Sequence, residues 1–394
     1  MTLPFQHLAP ADIGERLRIA RERAKITQAD AAASIDVART TLVAVEQGQR
    51  RVRMNELQRL AKLYRVSVNA MLRQEAVHVD LVPRFRKVIG SRDDASVVAA
   101  ELLADLATAE VELENLLGIK RVANHPPERP ILPGDVRMQA EHNATELRER
   151  LGLGIRPISD IVTLLEMDLG VRVYVRRLES HISGLFAYDE ALGPCMLLNA
   201  NHPRERRNQT AGHECGHFIS NRRQPEILHR EGPENSREER YASAFGRAFL
   251  MPVRAVMQKF QEITAGSPRF TRRHVILLAH FFTVSREAIV RRVEELGLVN
   301  AGTWDYFAAN GGITDEQARQ VLGGSWPDTD KTDADRPTTL RLSLLAYEVY
   351  RQELLSEGQL ARLLRLDRLE LRGILDSQDI ERSESDGVTS RPPD

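Results

Sequence analysis

Five consecutive residues, His213-Glu214-Cys215-Gly216-His217, have the types and spacing for hydrolytic metal chemistry. Inside a helix, imidazoles four residues apart lie on one face, so both can ligate a single Zn2+. Glu214 is placed beside them to hold and deprotonate an attacking water, and Gly216 leaves room close to the metal. A catalytic zinc needs a third protein ligand and an open position. The stretch Arg237-Glu238-Glu239-Arg240-Tyr241-Ala242 supplies candidates. Glu239 shares a helix face with the small residues Ala242, Ser243 and Gly246, which suits close packing on the first helix. Glu238 points about 100° away and reads as a solvated charge.

The elements that must position these groups form an α+β pattern from Asp135 onward. Met138–Leu151 and Ile158–Leu169 read as helices, and Val171–Arg176, Gly184–Tyr188 and Met196–Asn199 as short strands. Helices are expected over 204–221 and 236–250, with Pro252 ending the second. The strand Cys195–Asn199 is expected to be an edge on which substrate pairs as an added strand. If that strand abuts the metal, Cys195 would cap it. Cys215 lies on a different helical face from the histidines and reads as packing. Tyr241 and His202 are weak candidates for stabilising an oxyanion, and each reads more simply as structural.

Beyond this region, 271–297 reads as a helix pair hinged at Thr283-Val284-Ser285. Residues 320–337 are polar and expected to be loose. Residues 340–376 return to helix, Leu344–Leu375 shows a helix-turn-helix-like pattern (Glu357-Gly358-Gln359-Leu360-Ala361), and the tail from Ser377 is expected to be disordered. Ahead of it, Ala95–Leu117 reads as a helix, followed by a proline-rich connector from Pro126-Pro127 to Pro133 that marks a boundary.

A chain of 394 residues suggests two or three domains. No apolar run approaches the ~18 residues of a membrane span, and residues 1–20 lack a signal-peptide core. Two cysteines cannot build a disulfide framework or an all-cysteine zinc site, so a cytoplasmic protein is expected. The formal charge of −1 averages unlike parts. Residues 1–74 carry thirteen Lys/Arg against seven Asp/Glu, a formal +6, which leaves −7 for the remainder. Such asymmetry points to a nucleic-acid module joined to something else.

Residues 11–73 read as five short helices. Thr27 caps the second, Ile35–Val37 is a tight connection, and Gly48 stops the third. This is the form of a helix-turn-helix, with Leu42 and Val45 holding the third helix while Arg39 and Thr40 face a major groove. Gln28, Arg50 and Arg51 suit phosphate contacts, and Arg39 suits a guanine edge. The segment resembles the phage-repressor-like (Xre) helix-turn-helix family through Thr27-Gln28, Thr40-Thr41, Val45-Glu46-Gln47-Gly48 and Leu60-Ala61…Val66. That resemblance implies DNA contacts at Gln28, Arg39, Thr40, Thr41, Arg50 and Arg51.

Residues 135–300 resemble the ImmA/IrrE family of zinc metallopeptidases. The resemblance rests on Ile182-Ser183-Gly184-Leu185, Leu197-Leu198-Asn199 with Arg204–Arg207, Thr210-Ala211-Gly212-His213-Glu214-Cys215-Gly216-His217, and Glu239-x-x-Ala242-x-x-Phe245 ending at Pro252. It implies His213, His217 and Glu239 as zinc ligands and Glu214 as general base. Gly212 stands where alanine is commoner, Tyr241 replaces an acidic residue, and Ser243 an asparagine.

The expected architecture is multi-domain: an all-α five-helix helix-turn-helix domain (1–74), a helical linker (75–134), an α+β zincin-like metallopeptidase domain (135–265), a helix pair closing it (266–300), a helical C-terminal region (301–376) and a tail (377–394). The expected function is a DNA-binding Zn2+ endopeptidase that cleaves a partner protein, a helix-turn-helix repressor, to derepress stress, defence or mobile-element genes. Its partners are then DNA, the protein substrate and, in a homodimer, a second copy, with no membrane. The alternative is a transcriptional regulator or antitoxin in which the protease fold is a scaffold.

Overall fold

The computed structural model of the protein describes residues 10–64, 66, 94–119, 121, 124–223, 226–229, 236–323 and 338–383, with backbone alone at 226–229 and 379–383. The chain divides into two units, Met1–His78 and Val79–Asp394.

The described part of the first unit is all helix: α1 (Pro10–Arg23), α2 (Gln28–Ser34), α3 (Arg39–Glu46) and α4 (Met54–Tyr64). Thr27 starts α2 by accepting a hydrogen bond from the Asp30 amide at 3.2 Å, which satisfies one of the amides a helix start leaves without a partner. Leu17, Ala31, Leu42, Val45, Leu57 and Leu60 fill one core. Gly48 follows α3 at φ 72°, and a Cβ there would lie 2.4 Å from Ala11 Cα, so both conformation and space demand glycine. The fifth helix expected at 67–73 lies outside the described residues.

The second unit opens with α5 (Asp94–Leu117), α6 (Val136–Arg150) and α7 (Ile161–Met167), followed by β1 (Arg172–Arg176), β2 (Ile182–Asp189) and β3 (Gly193–Asn199). Helix α8 (Arg204–Ser220) leads to β4 (Glu226–His229) and α9 (Arg237–Leu250). Then come α10 (Val253–Thr264), α11 (Arg272–Phe282), α12 (Arg286–Glu295), α13 (Thr303–Ala309), α14 (Asp315–Leu322), α15 (Leu340–Arg351), α16 (Glu357–Leu363) and α17 (Arg368–Ser383). None of the described helices is long and apolar enough to cross a membrane.

The sheet order is β1-β3-β2-β4. Strand β3 runs parallel to β1, with Met196 opposite Val173, and antiparallel to β2, with Met196 opposite Phe186. The expected edge at Cys195–Asn199 is therefore corrected: β3 is flanked on both sides, and β1 and β4 are the outer strands. Because side chains alternate across a sheet, Val173, Phe186, Met196 and Leu198 face α8 and α9 in one core with Phe218, Phe245 and Phe249. Arg172, Tyr174 and Cys195 face the other way.

On that second face, the described helix Asp94–Leu117 of the expected linker (75–134) packs as part of the core. Helix α5 packs on β1, β2 and β3 and is itself covered by α15. Its Glu110 and Glu114 are buried and bind Arg172, which donates to Glu114 at 3.0 and 2.7 Å and lies 3.0 Å from Glu110. Tyr174 donates to Glu110 at 2.6 Å, and Arg121 and Arg341 complete the cluster. Glu166 on α7 accepts from Thr339 Oγ1 and the Arg341 amide, tying down the start of α15. Burial pushes the Glu166 carboxyl up to about 7, against those two hydrogen bonds.

The proline-rich connector is also docked. The Arg129 amide donates to Ile219 O at 2.7 Å, and Arg222 reaches Pro126 O at the same distance. At the hinge between α11 and α12, Thr283 adopts a left-handed conformation and Ser285 caps α12. Helix α14 extends to Leu322, so only residues after 323 of the expected loose stretch lie outside the described part. Helix α17, anchored by buried Leu371, Ile374 and Leu375, runs through Ser383, past Ser377 where a tail was expected; residues 384–394 of that tail lie outside the described residues.

Candidate functional site

Helix α8 lies on β2 and β3, and α9 lies against α8. The crossing of the two helices is set by missing side chains. An ideal Cβ on Gly216 would sit 2.7 Å from Ala242 Cα, and one on Gly246 would sit 2.8 Å from the His213 amide nitrogen. Such backbone proximity brings the first turn of α9 against the histidine face of α8. Ser236 caps α9 by accepting from the Glu239 amide at 3.0 Å. In sequence, Ser236-x-x-Glu239 reads as a capping box, in which the glutamate would turn back to the cap. Here its carboxylate turns to the histidines instead.

The result is a three-cornered donor set. His213 Nε2 and His217 Nε2 are 3.1 Å apart, and Glu239 offers Oε2 at 3.3 Å to the first and Oε1 at 3.4 Å to the second. Hydrogen bonds from His213, then His217, hold the Glu239 carboxyl well below the usual carboxylate range. Zinc bonds to histidine nitrogen and carboxylate oxygen are about 2.0–2.2 Å, which puts two ligands of a tetrahedral site about 3.3–3.6 Å apart. Both histidine–carboxylate separations fall in that window, and the His213–His217 separation lies about 0.2 Å below it, so the set suits one such ion after a small adjustment. Both histidines are buried and Glu239 is half-buried, so the set opens on the carboxylate side. His213 Nδ1 lies 3.3 Å from Ser243 Oγ.

The remaining candidates separate clearly. Glu214 neighbours His213 and is fully buried, whereas Glu238 is exposed. Tyr241 is buried on the α6 side, accepts from Asn143 at 2.7 Å and stacks on Phe245, so it does not face the donor set. His202 Nε2 is engaged with Ser180 O at 3.1 Å. Cys195 lies on the α5 face of the sheet, which removes it as a metal cap, and burial pushes its thiol up to about 12. Cys215 is buried in the core with its thiol also raised to about 12 by burial. Asn199, singled out only by resemblance, is a structural pin: its amide donates to Ile182 O at 2.7 Å and Glu179 O at 3.0 Å.

In the first unit, a hydrogen-bonded chain runs from core to surface. Arg21 holds Glu46 through two contacts of 2.6 and 3.1 Å, Gln28 donates to Glu46 at 3.0 Å, and Arg39 donates to Gln28 Oε1 at 3.3 Å. Arg39 and Thr40 are exposed at the start of α3, Thr41 is half-buried, and Arg51 is exposed. Arg50, expected as a phosphate contact, is half-buried. Its guanidinium is clamped on Glu56 at 3.1 and 2.8 Å, because that buried carboxylate needs a cation.

These two arrangements agree with the family comparisons. Residues 12–74 match a helix-turn-helix domain, and residues 166–294 match the IrrE N-terminal-like domain, a peptidase family. The protein thus joins a helix-turn-helix domain to a domain of the ImmA/IrrE type. No curated protein matches the chain.

Proposed function

We propose that the protein is a DNA-binding zinc metalloendopeptidase that hydrolyses a peptide bond in a partner protein. The observation that carries this reading is the tetrahedral spacing of His213 Nε2, His217 Nε2 and the Glu239 carboxylate. These three groups would hold Zn2+, with residues 135–300 as the catalytic part. When bound, zinc supplies Lewis-acid polarisation of the scissile carbonyl and acidifies water. Glu214 accepts the proton of the attacking water and delivers it to the departing amine nitrogen. The buried histidine rings keep the ligand nitrogens away from bulk water, and Glu239 lines the open side. A helix-turn-helix repressor as substrate, and derepression of stress, defence or mobile-element genes as the output, follow from the family resemblance.

The purified full-length protein is expected to carry about one zinc per chain. Co-expressed in turn with helix-turn-helix repressors encoded in the same genome, the wild type should generate new termini in one of them, detectable by mass spectrometry. Glu214→Gln should retain zinc while cleavage falls by about 10²–10⁴. Zinc binding with no cleavage by the wild type would favour the scaffold alternative, and absence of zinc would overturn the metallopeptidase reading.

For the DNA arm, Arg39 is the base-reading candidate, supported by Gln28, while Thr40, Thr41 and Arg51 contact the backbone. On a duplex spanning the region upstream of the protein's own gene, binding should weaken steeply between about 50 and 200 mM salt. Arg39→Ala should weaken it further by about 10-fold. Salt-insensitive binding, or an Arg39→Ala variant equal to wild type, would count against this assignment.

A further inference from the structure

We propose that the Ser243 hydroxyl is a positioning group for His213; this rests on the metal-centre reading above. A histidine that ligates through Nε2 carries its proton on Nδ1, and the acceptor of that proton fixes both tautomer and ring orientation. His213 turns Nε2 toward His217 and Glu239, and its Nδ1 lies 3.3 Å from Ser243 Oγ. With Nε2 on the metal, the Nδ1–H would donate to the hydroxyl oxygen.

Helix geometry makes this partner specific. Glu239 and Ser243 are four residues apart on α9, so they share a face, and that face meets His213 and His217, themselves four apart on α8. One helix therefore supplies a ligand and, one turn later, the hydroxyl behind another ligand's ring. The close approach at Gly246, where a Cβ would lie 2.8 Å from the His213 nitrogen, sets the turn of α9 carrying Ser243 beside that histidine. Torsion about χ2 of histidine is broad and two-fold, so packing on the ring faces alone leaves a flipped ring available. A hydrogen bond from Nδ1 selects one of the two. Serine inside a helix is also less favourable than alanine, and its neighbours on this face, Ala242 and Gly246, are small and apolar. The hydroxyl is the polar exception among them, and it stands where the His213 ring needs an acceptor. Being uncharged, it orients the imidazole without adding a second negative charge beside Glu239.

The test uses the full-length chain as wild type, Ser243→Ala, Ser243→Thr and His213→Ala. Zinc affinity is measured by competition with a chromophoric chelator, ligand geometry by the visible spectrum of the Co2+ form, and folding by the melting temperature of the zinc-stripped proteins. Ser243→Ala is expected to bind zinc about 10–100-fold more weakly, to alter the Co2+ bands and to melt like the wild type when stripped. Ser243→Thr, which keeps the hydroxyl, should restore affinity and spectrum. Wild-type affinity and spectrum in Ser243→Ala would overturn the proposal while leaving the metal centre intact. Loss of affinity matched by loss of stripped-protein stability and not rescued by threonine would overturn it as a folding effect. A wild type that binds zinc no better than His213→Ala would overturn the metal centre itself, and this proposal with it.

Discussion

Replacing Gly216 with alanine is expected to lower zinc affinity by at least about 100-fold and to destabilise the second unit by about 1–3 kcal/mol. On helix propensity alone the same change would stabilise by about 1 kcal/mol, so the sign of the result is diagnostic. The new Cβ would stand 2.7 Å from Ala242 Cα, 3.1 Å from Ala242 O and 3.2 Å from Ala242 Cβ. None of these is the end of a flexible side chain, so α9 itself must move, and Glu239 moves with it. Metal sites tolerate only about 0.2 Å in ligand distances, and a displaced carboxylate leaves two histidines to hold the ion. Gly212→Ala is the control: its Cβ would lie 3.2 Å from Gly246 Cα and 3.4 Å from Gly246 O, a tight fit that small shifts can absorb. Near-wild-type zinc binding is expected there. Chelator competition on both variants decides the matter, and a Gly216→Ala protein that binds zinc normally would refute the steric account of how the site is assembled.

Arg172→Met should cost about 3–5 kcal/mol. Arg172, Glu110 and Glu114 have side-chain exposures of only 4%, 1% and 5%. Removing the cation strands two carboxylates that share Arg121 and Arg341 as their remaining partners. It also frees Leu192 O, which the guanidinium Nε binds at 2.8 Å. Arg172→Lys should recover only part of the loss, since one ammonium cannot serve both glutamates and the carbonyl in a planar fork. The first unit, Met1–His78, contains no tryptophan, and Trp304 lies on α13 of the second, so urea unfolding followed by tryptophan fluorescence does not read the first unit. An unchanged midpoint in Arg172→Met would show that the cluster contributes nothing to stability. The exposed Arg18–Glu15 pair offers a contrast, because a surface ion pair adds little.

The site was legible in sequence where its geometry is local. His213, Glu214 and His217 lie on one helix, where spacing fixes which face each residue occupies. Glu239 was legible through the small-residue face it shares with Ala242 and Gly246, which the close packing of α9 on α8 uses. Ser243 carried no such signal, since its partner is thirty residues upstream on another helix. The same limit applies to the ion cluster, whose members Glu114 and Arg172 are 58 residues apart. Strand order is equally non-local: β3 is buried on both faces, and nothing in its alternation distinguishes a central strand from an edge. Helix α5 read as a linker because it is apolar around much of its circumference and has no single inward stripe. That composition is what a helix enclosed between a sheet and another helix requires.

The position of α5 has a consequence for how the protein is made. Its inner face packs on β1–β3, encoded soon after it, but its outer face is covered by α15, which is encoded far downstream. At about 5–20 residues per second, a ribosome needs roughly 7–26 s to travel from Ser220 to Arg351. Throughout that interval α15 is not yet there to cover α5, and the acidic cluster lacks Arg341. A fragment ending near residue 300 would keep every group of the donor set yet remain permanently in this half-clothed state, a natural client for chaperones.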